Sequence, residues 1–249
     1  MHPVVLKSSQ LILAGDIMGA ENALVAIAEQ HGDQALVSIM DEMQPKDLLA
    51  VMREFDSSKE SVVNMLVTPE QFARSIILER KYGDRTGERL RAMINAVIYR
   101  DHETVSDYLA AISDIEDGCL TLADYFADHL DEILCFATSG SFAPQISLEA
   151  DIQTHNTWLM EKVDEIDQGL EFGDSIEKSR IVLSRAEIAD GDWMETAWVL
   201  RYELPDAFEE MMAILRDQVR DHLEMMNLAM AESLDEPTET APGEEESAI

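Results

Sequence analysis

Four short apolar runs recur along the first third of the chain. Ala23-Leu-Val-Ala-Ile, Ala35-Leu-Val-Ser-Ile-Met, Leu48-Leu-Ala-Val-Met and Ser61-Val-Val-Asn-Met-Leu follow one another at intervals of 12 or 13 positions. Between them lie polar linkers, Gln30 to Asp33, Gln44 to Asp47, Asp56 to Lys59 and Thr68 to Glu70, each offering an N-cap side chain or a proline suited to the first helical position. The pattern predicts helices of two to three turns. Helices that short are marginal alone, so each must bury its apolar face on its neighbours.

The periods then lengthen. Apolar residues at spacings of three and four predict helices over Pro69 to Tyr82, Gly87 to Tyr99, Glu103 to Ile115 and Leu120 to Ala137, with Gly83, Gly118 and Gly140 as stops. Further on, Leu148, Ile152, His155, Leu159, Val163, Ile166 and Leu170 form one stripe. Phe208, Met212, Leu215, Val219, Leu223, Met226 and Met230 form another behind Pro205. These are core-facing helices of a bundle. Sustained alternation with β-branched residues is absent except over Val4 to Leu13, the one stretch compatible with a strand. The expected fold is all-α: a superhelical stack of short helices followed by a bundle of longer ones.

Residues 23–72, with their Leu/Val/Met spacing and their Pro or Asp caps, resemble the short-helix superhelical repeats of the cytoplasmic N-domain of MgtE-type magnesium transporters. The resemblance implies a fold outline for this stretch and carries no site residues.

Charge divides the chain. Residues 1–100 hold 11 Lys/Arg against 14 Asp/Glu, whereas 101–249 hold 7 against 37, and the whole carries −33. Such a surface repels nucleic-acid backbone and anionic lipid, so direct binding of nucleic acid is not expected. From Asp101 to Glu161 there are 13 carboxylates and no Lys or Arg, so this segment cannot neutralise itself by pairing along its own helices. The one basic counter-current is the cluster Arg74, Arg80, Lys81, Arg85, Arg89, Arg91 and Arg100, and docking onto the acidic segment is its expected role. The organisation expected is a short-helix region 1–100 ending in the basic cluster, an acidic bundle 101–231 packed on it, and a disordered acidic tail 232–249 with seven acids and two prolines. No signal-like start or long apolar span is seen, and Cys119 and Cys135 lack metal or disulfide spacing, so a cytoplasmic setting is expected.

Candidate chemistry is sparse. A carboxylate-rich helical protein suggests a dinuclear metal centre, which needs Glu-x-x-His pairs. Three positions before His31, His102, His129, His155 and His222 stand Ala28, Tyr99, Phe126, Ile152 and Val219, so no such pair exists. The nearest remnant is Asp124, Asp128, His129, Asp131 and Glu132, with Asp124 and Asp128 one turn apart and able to share a hard cation with Glu132. A solvated acidic face is the plainer reading. His155 with Asp151 one turn before it has the spacing of an oriented base. Neither cysteine has an activating neighbour in sequence, and Gly83 to Glu88 lacks the lysine of a phosphate loop.

Methionine is in excess, with 14 residues, and Met211, Met212, Met225, Met226 and Met230 crowd one helix. Flexible thioethers suit a groove that repacks around different partners, although they also fill irregular cores. The sequence therefore predicts a non-enzymatic adaptor, chaperone or regulatory subunit that meets a basic protein partner through an acidic helical surface and a Met-rich groove, without a cofactor. Its rivals are a nucleic-acid-mimicking inhibitor and a metal-dependent enzyme on the acidic cluster.

Overall fold

Helix starts in this chain are written by side chains that replace the missing intrahelical acceptors. In the computed structural model, which describes residues 1–54, 61–82, 87–147, 150–172 and 183–235, Asp16 caps α2 (Ile17–His31) by accepting from the Gly19 amide at 2.8 Å. α1 (Pro3–Leu13) and α4 (Pro45–Glu54) start on proline, and α3 (Asp33–Glu42) follows Gly32, whose φ of 86° lets the chain turn sharply between α2 and α3. Ser61 caps the five-residue α5 (Val62–Leu66). α6 (Pro69–Tyr82) opens on a reciprocal capping box: the Thr68 amide donates to Gln71 Oε1 at 3.1 Å and the Gln71 amide donates to Thr68 Oγ1 at 3.3 Å.

The rest follows as α7 (Gly87–Ile98), α8 (Val105–Ser113), α9 (Gly118–Tyr125), a 3-10 turn (Ala127–His129), α10 (Leu130–Ser139), α11 (Ile152–Phe172), α12 (Arg185–Ile188), α13 (Trp193–Glu203) and α14 (Pro205–Asp235). The fold is all-α, and no strand occurs among the described residues. Side chains are described as far as Gln168 in α11 and Leu228 in α14.

Several expectations are corrected. Val4 to Leu13 is helical: Pro3 presets the first turn, and Val5 and Ser8 turn inward at helical spacing. The single helix expected over Leu120 to Ala137 is broken. α9 ends at Tyr125 with Phe126 as its C-cap, both rings fully buried, and the 3-10 turn after them re-aims the chain into α10. Gly118 starts a helix instead of stopping one, and glycine is required there because a Cβ would lie 1.7 Å from the Ile112 carbonyl oxygen. Helix α14 continues to Asp235, past the expected start of the tail at 232, and residues 236–249 lie outside those described, as does Gly83.

Packing centres on two helices. α2 touches α1, α3, α4 and α5, so the short helices gather around it. α6 then joins that group to the remainder, contacting α4 on one side and α7, α8 and α9 on the other. One continuous cluster of buried apolar side chains runs from Val5 to Leu223, with Phe72, Tyr125, Phe126, Phe136 and Phe208 among its largest members. The chain after α6 also buries polar groups in a connected set. Thr196 Oγ1 lies 2.7 Å from Tyr99 Oη and 3.1 Å from Tyr125 Oη, while Tyr125 donates to Asn95 Oδ1 at 2.7 Å. Burial pushes the ionisation of both tyrosines upward, so they serve as neutral hydrogen-bonding struts.

Candidate functional site

Helix α6 carries opposite chemistry at its two ends. At its C-terminal end, where cations complement the helix dipole, Arg80 and Lys81 face the acidic segment. Arg80 Nε donates to Asp124 Oδ2 at 2.6 Å and Lys81 Nζ meets Asp117 Oδ2 at 2.5 Å. From α7, Arg91 donates to Asp128 Oδ2 at 2.9 Å. Gly87 allows this approach, since a Cβ there would stand 3.2 Å from Asp128 Oδ2. The Lys81 ammonium holds the Asp117 carboxyl below its ordinary range, and the carboxylate in turn raises the lysine. Three members of the basic cluster thus close a seam on the acidic segment.

The others go elsewhere. Arg89 lies 3.8 Å from the buried Glu79, which also binds Arg53. Arg74 reaches back to the Glu70 carbonyl at 3.2 Å and stands 3.9 Å from Asp41. Arg100 donates to the Val67 carbonyl at 2.9 Å with its guanidinium over the Tyr108 ring. Arg85 lies outside the described residues.

The Asp124 to Glu132 remnant does not assemble as a ligand set. Asp124 and Asp128 are engaged by arginines, Asp131 receives His155 Nε2 at 2.9 Å, and Glu132 is half-buried in the first turn of α10. Among the described residues, no three His, Cys, Asp or Glu side chains come together as a metal site would require. His155 pairs with Asp131 and not with Asp151, which instead caps α11 by accepting from the Thr154 amide at 2.8 Å. Burial, with Glu210 nearby, pushes the Cys119 thiol up to about 12, so it remains protonated and unreactive at neutral pH.

The methionines separate by depth. Met211 and Met212 are buried with Phe208 and Leu215 in the core, so the groove imagined on α14 loses Met211. Met226 is half-buried, and Met225 and Leu228 stand 66% exposed one turn apart. No concave surface joins them among the described grooves.

At the other end of α6 a different surface opens. An open groove of about 590 Å³ runs between the start of α6 and the outer face of α8. Pro69, Glu70 and Arg74 form one wall, Asp107, Ala110 and Ala111 the other, and Asp114 with Ile115 close the end. The walls are braced from beneath: Tyr108 donates to the Val67 carbonyl at 2.5 Å and packs edge-on against Phe72, rings 5.8 Å apart. Glu70 occupies the first turn of α6 and Asp107 that of α8, where the helix dipole favours acids. Asp114 at the C-cap of α8 has no such support. Glu70, Asp107 and Asp114 are all exposed, and none has an ion-pair partner among the described residues. A second groove of about 670 Å³ beside α11 presents Ser147, Thr154, Thr157 and Trp158 with a single acid, Glu161.

Sequence reading found the basic cluster and missed this groove, because its walls come from residues some forty positions apart. No known protein family matches the chain, and neither curated proteins nor solved structures yield a match. No helix among the described residues is long and apolar enough to cross a membrane.

Proposed function

We propose that the protein is a non-enzymatic interaction module that receives a basic, amphipathic segment of a partner protein in the groove between α6 and α8. The observation that carries this reading is the contrast within one acidic surface. Asp117, Asp124 and Asp128 are neutralised by the chain itself, whereas Glu70, Asp107 and Asp114 line the groove with no ion-pair partner among the described residues, the one base on its wall, Arg74, standing 3.9 Å from Asp41. Ala110 and Ala111 keep one wall low, so a partner's backbone can come close, and Ile115 and Pro69 supply apolar contact. Carboxylates at such a rim steer a cationic segment inward and set its orientation more than they add raw affinity.

The test uses the full chain and a fluorescent helical peptide with lysines along one face and leucines along the other. Fluorescence anisotropy should report saturable binding that weakens as salt rises. Charge reversal by Glu70→Lys, Asp107→Lys and Asp114→Lys together should weaken it on the order of a hundredfold while the far-ultraviolet circular dichroism stays unchanged. Equal binding by the triple variant would move the docking surface off the groove and leave only the general field of a chain carrying −33.

A further inference from the structure

Helix α5 is held at both ends by groups from distant parts of the chain. At its exit the Val67 carbonyl accepts from Tyr108 and Arg100. At its entry, Ser61 Oγ accepts from the Asn64 amide at 3.1 Å and donates to Glu21 Oε1 at 2.9 Å, and the Val62 amide donates to the same oxygen at 3.0 Å. Glu21, from the second turn of α2, is 4% exposed, and its other oxygen, Oε2, is buried with no hydrogen-bond partner.

No charged side chain among the described residues is seen to compensate that oxygen. α5 has no ionisable side chain. From α1, Lys7 is exposed, and from α3, Asp33, Asp41 and Glu42 are exposed. From α4, Lys46 and Glu54 are exposed, Asp47 is buried and taken by Ser9 at 2.5 Å, and Arg53 is turned to Glu79. On α2 itself, Glu29 and His31 lie at the exposed far end, and Asp16 caps the start. An ionised Glu21 therefore keeps two donors on one oxygen and leaves the other bare in apolar surroundings, where a charge is far more costly than a neutral hydroxyl.

We propose that Glu21 is a pH-sensitive latch: protonated, it holds the start of α5 against α2, and its ionisation as pH rises loosens that junction. Parting of the Ser61 end of α5 from α2 would open this carboxylate to water, since Ser61 and Val62 are the groups that bond it. Burial raises this carboxyl's ionisation, and the hydrogen bonds from Ser61, Val62 and Val63 oppose the rise with smaller weight. The sign follows from linkage. Between the ordinary carboxylate range and the raised value the folded protein holds a proton that the unfolded chain has lost, so stability falls as pH rises through that window and is level on either side.

Glu21→Gln keeps the accepting oxygen and removes the titration. Urea unfolding of both proteins from acid to mildly alkaline pH should give equal unfolding constants at the acid end. A wild-type constant that grows several-fold relative to the variant should appear above the window, tenfold for each unit of elevation. Hydrogen exchange at the Met65 and Val67 amides, corrected for intrinsic base catalysis, should quicken over the same window in the wild type alone. A ratio constant across pH would overturn the latch. Should the variant fail to fold, carboxyl carbon-13 titration of Glu21 in the wild-type protein decides: a midpoint at or below the ordinary glutamate value overturns the proposal, and a raised midpoint supports it.

Discussion

The two ends of α6 teach why acidic residues of similar local sequence come to serve different purposes. At the C-terminal end, Arg80 and Lys81 meet Asp124 and Asp117, and Arg91 adds Asp128, so the acids there join helices α6 and α7 to α9 and the turn after it. At the N-terminal end, Glu70 shares its groove with Asp107 and Asp114, and the nearest base, Arg74, is turned towards Asp41. The first set stabilises the chain against its own repulsion. The second set remains repulsive until a cation arrives, which is the condition expected of a binding surface.

The largest expected effect falls on binding. Reversing Glu70, Asp107 and Asp114 to lysine should weaken a basic helical peptide on the order of a hundredfold, about 2.7 kcal/mol, as measured by anisotropy at low salt. Stability of the folded chain should fall by no more than about 0.5 kcal/mol for each exposed substitution, chiefly from placing lysine in the first turns of α6 and α8. An intermediate effect belongs to the seam. Arg80→Gln with Arg91→Gln should cost about 1 kcal/mol in urea unfolding at low salt, given that each pair is partly exposed, and less as salt rises. Equal loss at all salt concentrations would assign the arginines to packing of their stems instead.

Smaller still is the pH dependence of the Lys81 to Asp117 contact. Lysine lowers the aspartate, so its contribution is complete above the ordinary carboxylate range and disappears as pH falls through the depressed value. Asp117→Asn should flatten the acid limb of the stability curve below about pH 4. Asn tolerates the left-handed backbone at this position, where φ is 66°, so the variant tests charge without adding strain. The methionines of α14 give a contrast set by depth alone. Met225→Ser, at an exposed position, should be nearly neutral, whereas Met211→Ala should cost about 2–5 kcal/mol in the same assay.

Local signals carried much of the fold. Pro45, Thr68 with Pro69, and Pro205 mark helix starts that the chain uses, but helix length does not follow the apolar spacing: α2 runs 15 residues, whereas α8, α9 and α10 run 9, 8 and 10. Helix α13 escaped notice because Glu195, Thr196, Ala197, Val199, Leu200 and Arg201 are all buried, leaving no polar stripe to define a face. Glu195 is satisfied there by Arg185 at 2.9 Å and the Gly191 amide at 3.1 Å, partners that lie upstream in a stretch without helical period. The seam was legible as an unbalanced pair of segments, one basic and one acidic, but not which base takes which acid. The groove and Glu21 were illegible, since an unpaired rim and a buried bare oxygen are defined by what tertiary packing leaves out.

The most direct measurement compares two neutralised proteins in one experiment. Asp124→Asn with Asp128→Asn removes the seam's charge, and Glu70→Gln with Asp107→Asn and Asp114→Asn removes the groove's. Thermal unfolding at low salt should show the seam variant melting a few degrees below the wild type and recovering as salt rises, on the scale of about 2–4 °C per kcal/mol for a chain of this size. The groove variant should melt near the wild-type temperature and lose the basic peptide. Equal destabilisation of the two, or peptide binding lost from the seam variant and kept by the groove variant, would contradict the division of this acidic surface into a structural half and a binding half.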